Sequence, residues 1–299
     1  MAPRTVVALV VASAAGLAMF AWPLVIDPPA GFSHTRDAPY IFALILPALV
    51  AIVLAEMTSR GMDTKSLAML GVLSAIGAAL RPLGAGTGGI ELVFFLLVLG
   101  GRVYGPAFGF VLGSATLFAS ALLTGGMGPW LPFQMLASSW VGLLAGLLPP
   151  LRGRAEIAML AVYAALAAYL YGFLVNLWGW PFSLGADTQL SYVAGAGVLD
   201  NLHRFVLYTL ATSTWGWDTG RAITNVAAVL LVGRAVLATL RRATRKAAFD
   251  APVQFTPGSV DAGHRHAVLG VHRTGGVSGT GSGGSRWRSS GRGGRARRR

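Results

Sequence analysis

The sequence predicts an all-α polytopic membrane protein, and three observations carry that prediction. Hydrophobic residues fill 54% of the 299 positions and charged ones only 12%, about half the charged share of a soluble domain. Mean hydropathy is +0.62. Apolar runs of membrane-crossing length recur between loops rich in glycine, proline and charge. They place about eight spans, at 5–26, 40–54, 66–80, 90–101, 104–123, 131–148, 157–178 and 219–240. The chain then divides into an N-terminal helix pair (1–56), a six-helix core (57–247) and a basic tail (248–299).

The first span follows Arg4 and contains small residues at Ala12, Ala14 and Ala15. Its apolar run exceeds the 7–15 residues typical of a signal-peptide core, and Trp22-Pro23 stands where cleavage would be expected, so it reads as a retained helix. The polar loop Asp27–Asp37 leads to the second span, and a charged loop follows from Glu56 to Lys65. On the third span Gly71, Ala75 and Ala79 recur every four residues, a flat ridge for close helix approach. It ends at Arg81-Pro82, before the glycine-rich loop Leu83–Gly89.

The fourth run is short against the roughly 20 residues of a simple span. Parity argues for keeping it, extended by Gly88 and Gly101 and tilted or broken. Both termini then lie in the cytoplasm, with Arg60, Lys65, Arg102, Arg152, Arg154, Arg241, Arg242, Arg245 and Lys246 inside and Arg36, Arg81, Arg204 and Arg221 outside. The fifth run carries Gly105, Gly109 and Gly113, a second small-residue ridge that suits internal packing or the docking of a partner. After it, the hinge Gly125-Gly126-Met127-Gly128-Pro129-Trp130-Leu131-Pro132-Phe133-Gln134 predicts a tight turn. The helix that follows has prolines in its first turn and presents an indole and an amide. Between the last two spans, Trp180–Asp218 is expected outside, with a short surface helix over 198–212. Trp178, Trp180, Trp215 and Trp217 surround it, either as an interfacial belt or as a lid over a pocket.

Net charge is +13, of which residues 247–299 supply +7 through 9 Lys/Arg against 2 Asp/Glu. That Gly/Ser/Arg-rich segment, ending in Arg292-Gly-Gly-Arg-Ala-Arg-Arg-Arg299, reads as a disordered extension on anionic lipid. Nucleic-acid binding is disfavoured, since only Trp287 accompanies the arginines as an aromatic platform.

Catalytic chemistry finds little support. There is no cysteine, no phosphate loop and no dinucleotide motif; Ser114 has no histidine to activate it, and His203 alone is too few ligands for a metal. No cofactor, metal or enzymatic activity is expected, and an ATP-driven motor would belong to another chain. The informative polar residues gather near the predicted outer ends: Arg81, Glu91, Gln134, Asn176, Asp218, Arg221 and Asn225. Gln134 and Ser138 share a helix face with Trp130, and Arg221 shares one with Asn225. Asp218 and Arg221 either pair locally at a helix start or touch a ligand.

Residues from about Ser66 to Arg242 resemble the substrate-binding S component of energy-coupling factor (ECF) vitamin transporters. The resemblance rests on the Gly71/Ala75/Ala79 helix before a glycine-rich loop, on Glu91-Leu-Val-Phe-Phe, on the turn Gly101-Arg102-Val-Tyr-Gly105-Pro, and above all on Gly128-Pro129-Trp130-Leu-Pro132-Phe133-Gln134. It implies a six-helix S-component-like core in the plasma membrane that captures a vitamin or related micronutrient outside. It also implies association with a transmembrane T component and two cytoplasmic ATPases, docking through Gly71, Ala75 and Ala79, and a gate at Arg81–Glu91. On this reading Trp130, Trp178, Trp180 and Trp217 enclose the ligand, Gln134, Asn176, Arg221 and Asn225 fix its polar edges, and Arg81 and Glu91 complete the substrate-binding set. The extra helices at 1–56 and the basic tail depart from the simplest pattern. Rival readings are an MreD-type scaffold of cell-wall morphogenesis and a self-sufficient secondary transporter.

Overall fold

The computed structural model of the chain describes residues 3–25, 44, 46–51, 54–55, 64–84, 88–184 and 188–247. The loop 27–43, much of the second span, most of the charged loop 56–65 and the tail 248–299 lie outside the described residues. Contacts divide the chain into Met1–Phe249 and Asp250–Arg299, and the described residues all belong to the first unit.

Every regular element among the described residues is helical. They are α1 (Pro3–Phe20), α2 (Trp22–Val25), α3 (Thr64–Leu83), α4 (Val93–Tyr104), α5 (Pro106–Thr124), α6 (Leu131–Leu147), α7 (Gly153–Ser183), α8 (Val198–Thr209), a π-helical stretch (Leu210–Asp218) and α9 (Thr219–Ala247). Among the described residues four helices are long and apolar enough to cross a membrane, Lys65–Leu83, Pro106–Thr124, Gly153–Ser183 and Val198–Arg245, beside shorter apolar helices at Val6–Phe20, Val93–Tyr104 and Leu131–Leu147.

The short run is the centre of the molecule. Residues Val93 to Gly101 of α4 are all buried, and α4 packs against α3, α5, α6, α7 and α9. A helix apolar on every side is one enclosed by other helices. The expected extension through Gly88 does not occur: Gly88 and Gly89 have φ of 46° and 87° and form a turn. The helix instead runs on past Gly101 to Tyr104, where Gly105 (φ 94°) and Pro106 start α5. Its 12 residues reach only about 18 Å, so its first turn sits inside the bundle, and Asn225 caps it from α9. The Asn225 side chain accepts from Phe95 N–H and donates to the Glu91 carbonyl at 2.7 Å.

Glycine sets the closest contacts. A Cβ on Gly113 would lie 2.3 Å from the Ser138 carbonyl oxygen, and one on Gly109 would lie 2.2 Å from that of Gly142. Thus α5 and α6 touch backbone to backbone. Gly109 and Gly113 are buried in that contact and are not available for a partner, which corrects the docking assignment for the second ridge; Gly105 lies in the turn before α5. The first ridge is different: Gly71, Ala75 and Ala79 are all exposed on α3.

Two further expectations are corrected. The first span is bent, because Pro23 has no N–H to continue the helix; α1 stops at Phe20 and Leu24 N–H bonds back to the Ala21 carbonyl. The last span does not start at 219 after a separate surface helix. The chain is one continuous helix from α8 through the π-helical stretch into α9. The 48 residues from Val198 to Arg245 measure about 70 Å, more than twice a hydrocarbon core of about 30 Å. In the wider π turn, Thr214 and Thr219 hydroxyls reach carbonyls five residues back, at 3.2 and 2.6 Å. The N-terminal helix packs on the core at α6: Trp140 Nε1 donates to Ser13 Oγ at 2.9 Å, and Phe20 meets Phe133 edge-on at 5.2 Å.

Candidate functional site

At the end of the bundle where α3 finishes and α6 begins lies a cavity of about 550 Å³. Its walls come from α3, the loop before α4, α5, α6, α7, the π-helical stretch and α9. That size is within the roughly 300–1,000 Å³ of small-molecule sites.

A chain of polar side chains runs along it. Gln134 Oε1 accepts from Arg81 Nη2 at 2.9 Å; Arg81 Nε lies 3.7 Å from Glu91; the other Glu91 oxygen pairs with Arg221 Nε at 2.6 Å. Arg221 Nη1 then pairs with Asp218 at 2.9 Å, and the second Asp218 oxygen accepts from Ser213 at 2.9 Å. The two arginines and two carboxylates balance in charge. Arg221 is the more rigid cation, since its guanidinium carbon sits 5.0 Å from the Tyr171 ring centre and 5.5 Å from that of Phe94. Arg81, held by a long ion pair and one amide, is the freer one.

The surrounding backbone lets this happen. Gly172 has no side chain because the Asp218 carboxylate occupies that space: a Cβ would lie 1.9 Å from Asp218 Oδ1. A Cβ on Gly89 would lie 2.3 Å from the Trp217 carbonyl oxygen and one on Gly220 would lie 2.2 Å from that of Gly88, so the two backbones approach too closely for any side chain. The Gly88-Gly89 turn thereby lies directly against the junction of the π-helical stretch and α9.

Of the candidate residues, Arg81, Glu91, Gln134, Asn176, Trp217 and Arg221 line the cavity. Three others lie off it. Trp130 caps α6 with its ring folded over Gly128 and is largely exposed. Trp180 is fully buried, with its Nε1 donating to the Leu190 carbonyl at 2.7 Å and its ring against Phe205 and Tyr192. Asn225 is the cap of α4 already described. The tryptophan lid likewise separates into parts: Trp178 stacks on Phe133 in the core, Trp217 forms cavity wall, and Trp215 is exposed.

The wall also contains residues that sequence reasoning missed, notably Ser120, Thr124, Tyr171, Gly172 and Tyr208. Ser120 and Thr124 stand four apart at the end of an apolar helix, and that spacing was the one available signal. No spacing rule links Gly172 to Asp218. Two groups in the wall carry no hydrogen-bond partner among the described residues: Asn176 Nδ2 and the fully buried Ser120 hydroxyl. An unpaired amide donor, a hydroxyl and the loosely held Arg81 suit a small molecule bearing acceptor atoms, and the Trp217 ring suits an apolar or planar face.

The comparisons with known proteins agree with this architecture. No curated protein and no solved structure matches the chain. The sequence profile of the family described as "ECF transporter, substrate-specific component" matches residues 65–214, about half of the chain. That match runs from α3 into the π-helical stretch, so it takes in most of the cavity's lining but not Trp217, Asp218 or Arg221. The chain belongs to the substrate-specific components of ECF transporters.

Proposed function

We propose that the protein captures a vitamin or related micronutrient from outside the cell and delivers it to a T component and two ATPase subunits that drive uptake. The observation that supports this is the cavity, which combines a charge-balanced network with the unpaired donor Asn176 Nδ2 at one end of the bundle. The loop between α3 and α4, fixed at Gly84 and Gly89, is the proposed gate, and the exposed Gly71, Ala75 and Ala79 face of α3 is the proposed docking surface for the T component. Both termini are placed in the cytoplasm, so that the cavity opens outward.

The test is mass spectrometry of small molecules released from the purified, detergent-solubilised protein and from Asn176→Ala. Arg221 is a poor choice for truncation, because its loss leaves Asp218 without a cation and Glu91 with only the long pair to Arg81. Removing one hydrogen bond to a ligand should weaken binding about fivefold to tenfold while leaving the yield of folded protein unchanged. A folded protein that releases nothing and binds no member of a vitamin panel would remove this reading.

A further inference from the structure

A second cavity, of about 720 Å³, lies at the opposite end of the bundle and is lined by Arg102, Arg152, Arg241, Arg245 and Thr244. Four arginines line it, and two of them, Arg102 and Arg241, pair with one carboxylate. Glu156, almost fully buried, accepts from Arg102 Nε at 2.8 Å and from Arg241 Nη2 at 2.5 Å. Arg102 is fully committed, since it also donates to the carbonyls of Leu148 at 2.9 Å and Leu151 at 3.2 Å. Arg245 gives only its Nε, to the Arg241 carbonyl at 3.3 Å, and Arg152 makes no hydrogen bond or ion pair among the described residues. The ordered pair around Glu156 thus forms a floor, and Arg152 and Arg245 stand over it with unspent donors.

Depth narrows what can fill the space. On α7, Glu156 and Asn176 are twenty positions apart, as are Arg221 and Arg241 on α9, and each interval is about 30 Å of helix, the thickness of a hydrocarbon core. The polar cavity and the arginine cavity therefore sit at the two boundaries of the bilayer. At such a boundary the abundant anion is the phosphate of a lipid headgroup, and arginine donors match phosphate oxygens in a fork. We propose that the arginine cavity binds the phosphate of an anionic phospholipid headgroup, with Arg152 and Arg245 as the contacting residues and Arg102, Arg241 and Glu156 as their support.

The experiment uses the full chain in a neutral detergent, titrated with phosphatidylglycerol or phosphatidylcholine and read by native mass spectrometry. Phosphatidylglycerol is expected to bind at least about tenfold more tightly than phosphatidylcholine, and Arg152→Gln/Arg245→Gln to weaken it by roughly 30-fold, about fivefold for each arginine at the surface. A charge-matched control, Arg154→Gln/Arg242→Gln, removes two exposed arginines at the same end outside the cavity and is expected to change binding by less than about twofold. Equal weakening by both double variants would reduce the effect to general surface charge and overturn the site. Equal binding of the two lipids would overturn the headgroup assignment. So would displacement of phosphatidylglycerol by inorganic phosphate at equal concentration, which would make the free anion the ligand.

Discussion

Asn225→Leu would orphan two backbone groups at once, the Phe95 N–H and the Glu91 carbonyl. Both are at membrane depth, where no bulk water replaces the lost partner. The expected cost is on the order of 2–3 kcal/mol, measured as a drop in the denaturation midpoint of the purified protein, and an unchanged midpoint would show that α4 does not depend on this cap. Asn225 was legible in the sequence as a polar residue that needed a reason, but not as a cap. Its partners are about 130 positions away in the chain, and nothing local distinguishes an asparagine that binds a ligand from one that satisfies a helix terminus. Trp180 poses the same problem. Its indole is amphipathic, so the sequence allows a pocket wall, whereas the structure spends its N–H on Leu190 and its ring on the α7–α8 contact.

The two small-residue ridges separate at the scale of whole helices. Gly109→Ala would push a Cβ into the α6 backbone at Gly142, and overpacking of this kind costs about 1–3 kcal/mol. Gly71→Ala meets nothing within 4 Å and should be neutral or stabilise the free protein by about 0.5–1 kcal/mol through helix propensity. Thermal melts of the two variants side by side test this, and a Gly71→Ala variant as damaged as Gly109→Ala would show that α3 has an internal neighbour on that face. Periodicity made both ridges visible, because spacing along one helix is a local property. Which ridge faces inward was not, because it depends on the rotation of each helix about its axis. The last helix shows a related limit. The segment up to Asp218 reads as lying outside the last span, yet a π-helical stretch carries the chain through, with threonine hydroxyls bonded to carbonyls five residues back.

For the whole molecule, sidedness is open to a clean test because the chain contains no cysteine. Trp215→Cys, exposed near the polar cavity, should react with a membrane-impermeant maleimide in intact cells. Arg154→Cys, exposed at the arginine end, should react only after the cells are permeabilised. The reverse pattern would invert the proposed orientation and turn the cavity toward the cytoplasm, ending the capture reading.

The amino-acid sequence by itself determined the solvent this protein lives in, the helical character of its segments, the glycine and proline turns that join α4 to α5 and α5 to α6, and membership of the transporter family. Each of these follows from local chemistry: transfer of side chains to lipid, backbone freedom at glycine, and motifs a few residues long. The tertiary structure alone decided that α4 is the enclosed centre, that Gly172 makes room for Asp218, that one tryptophan lines the cavity while others build the core, and that four arginines collect around one buried glutamate. Those outcomes depend on which helix faces meet, and contacts between residues 40 to 130 positions apart, such as the pairs that Arg102 and Arg241 alone make with Glu156, leave no periodic trace in the chain.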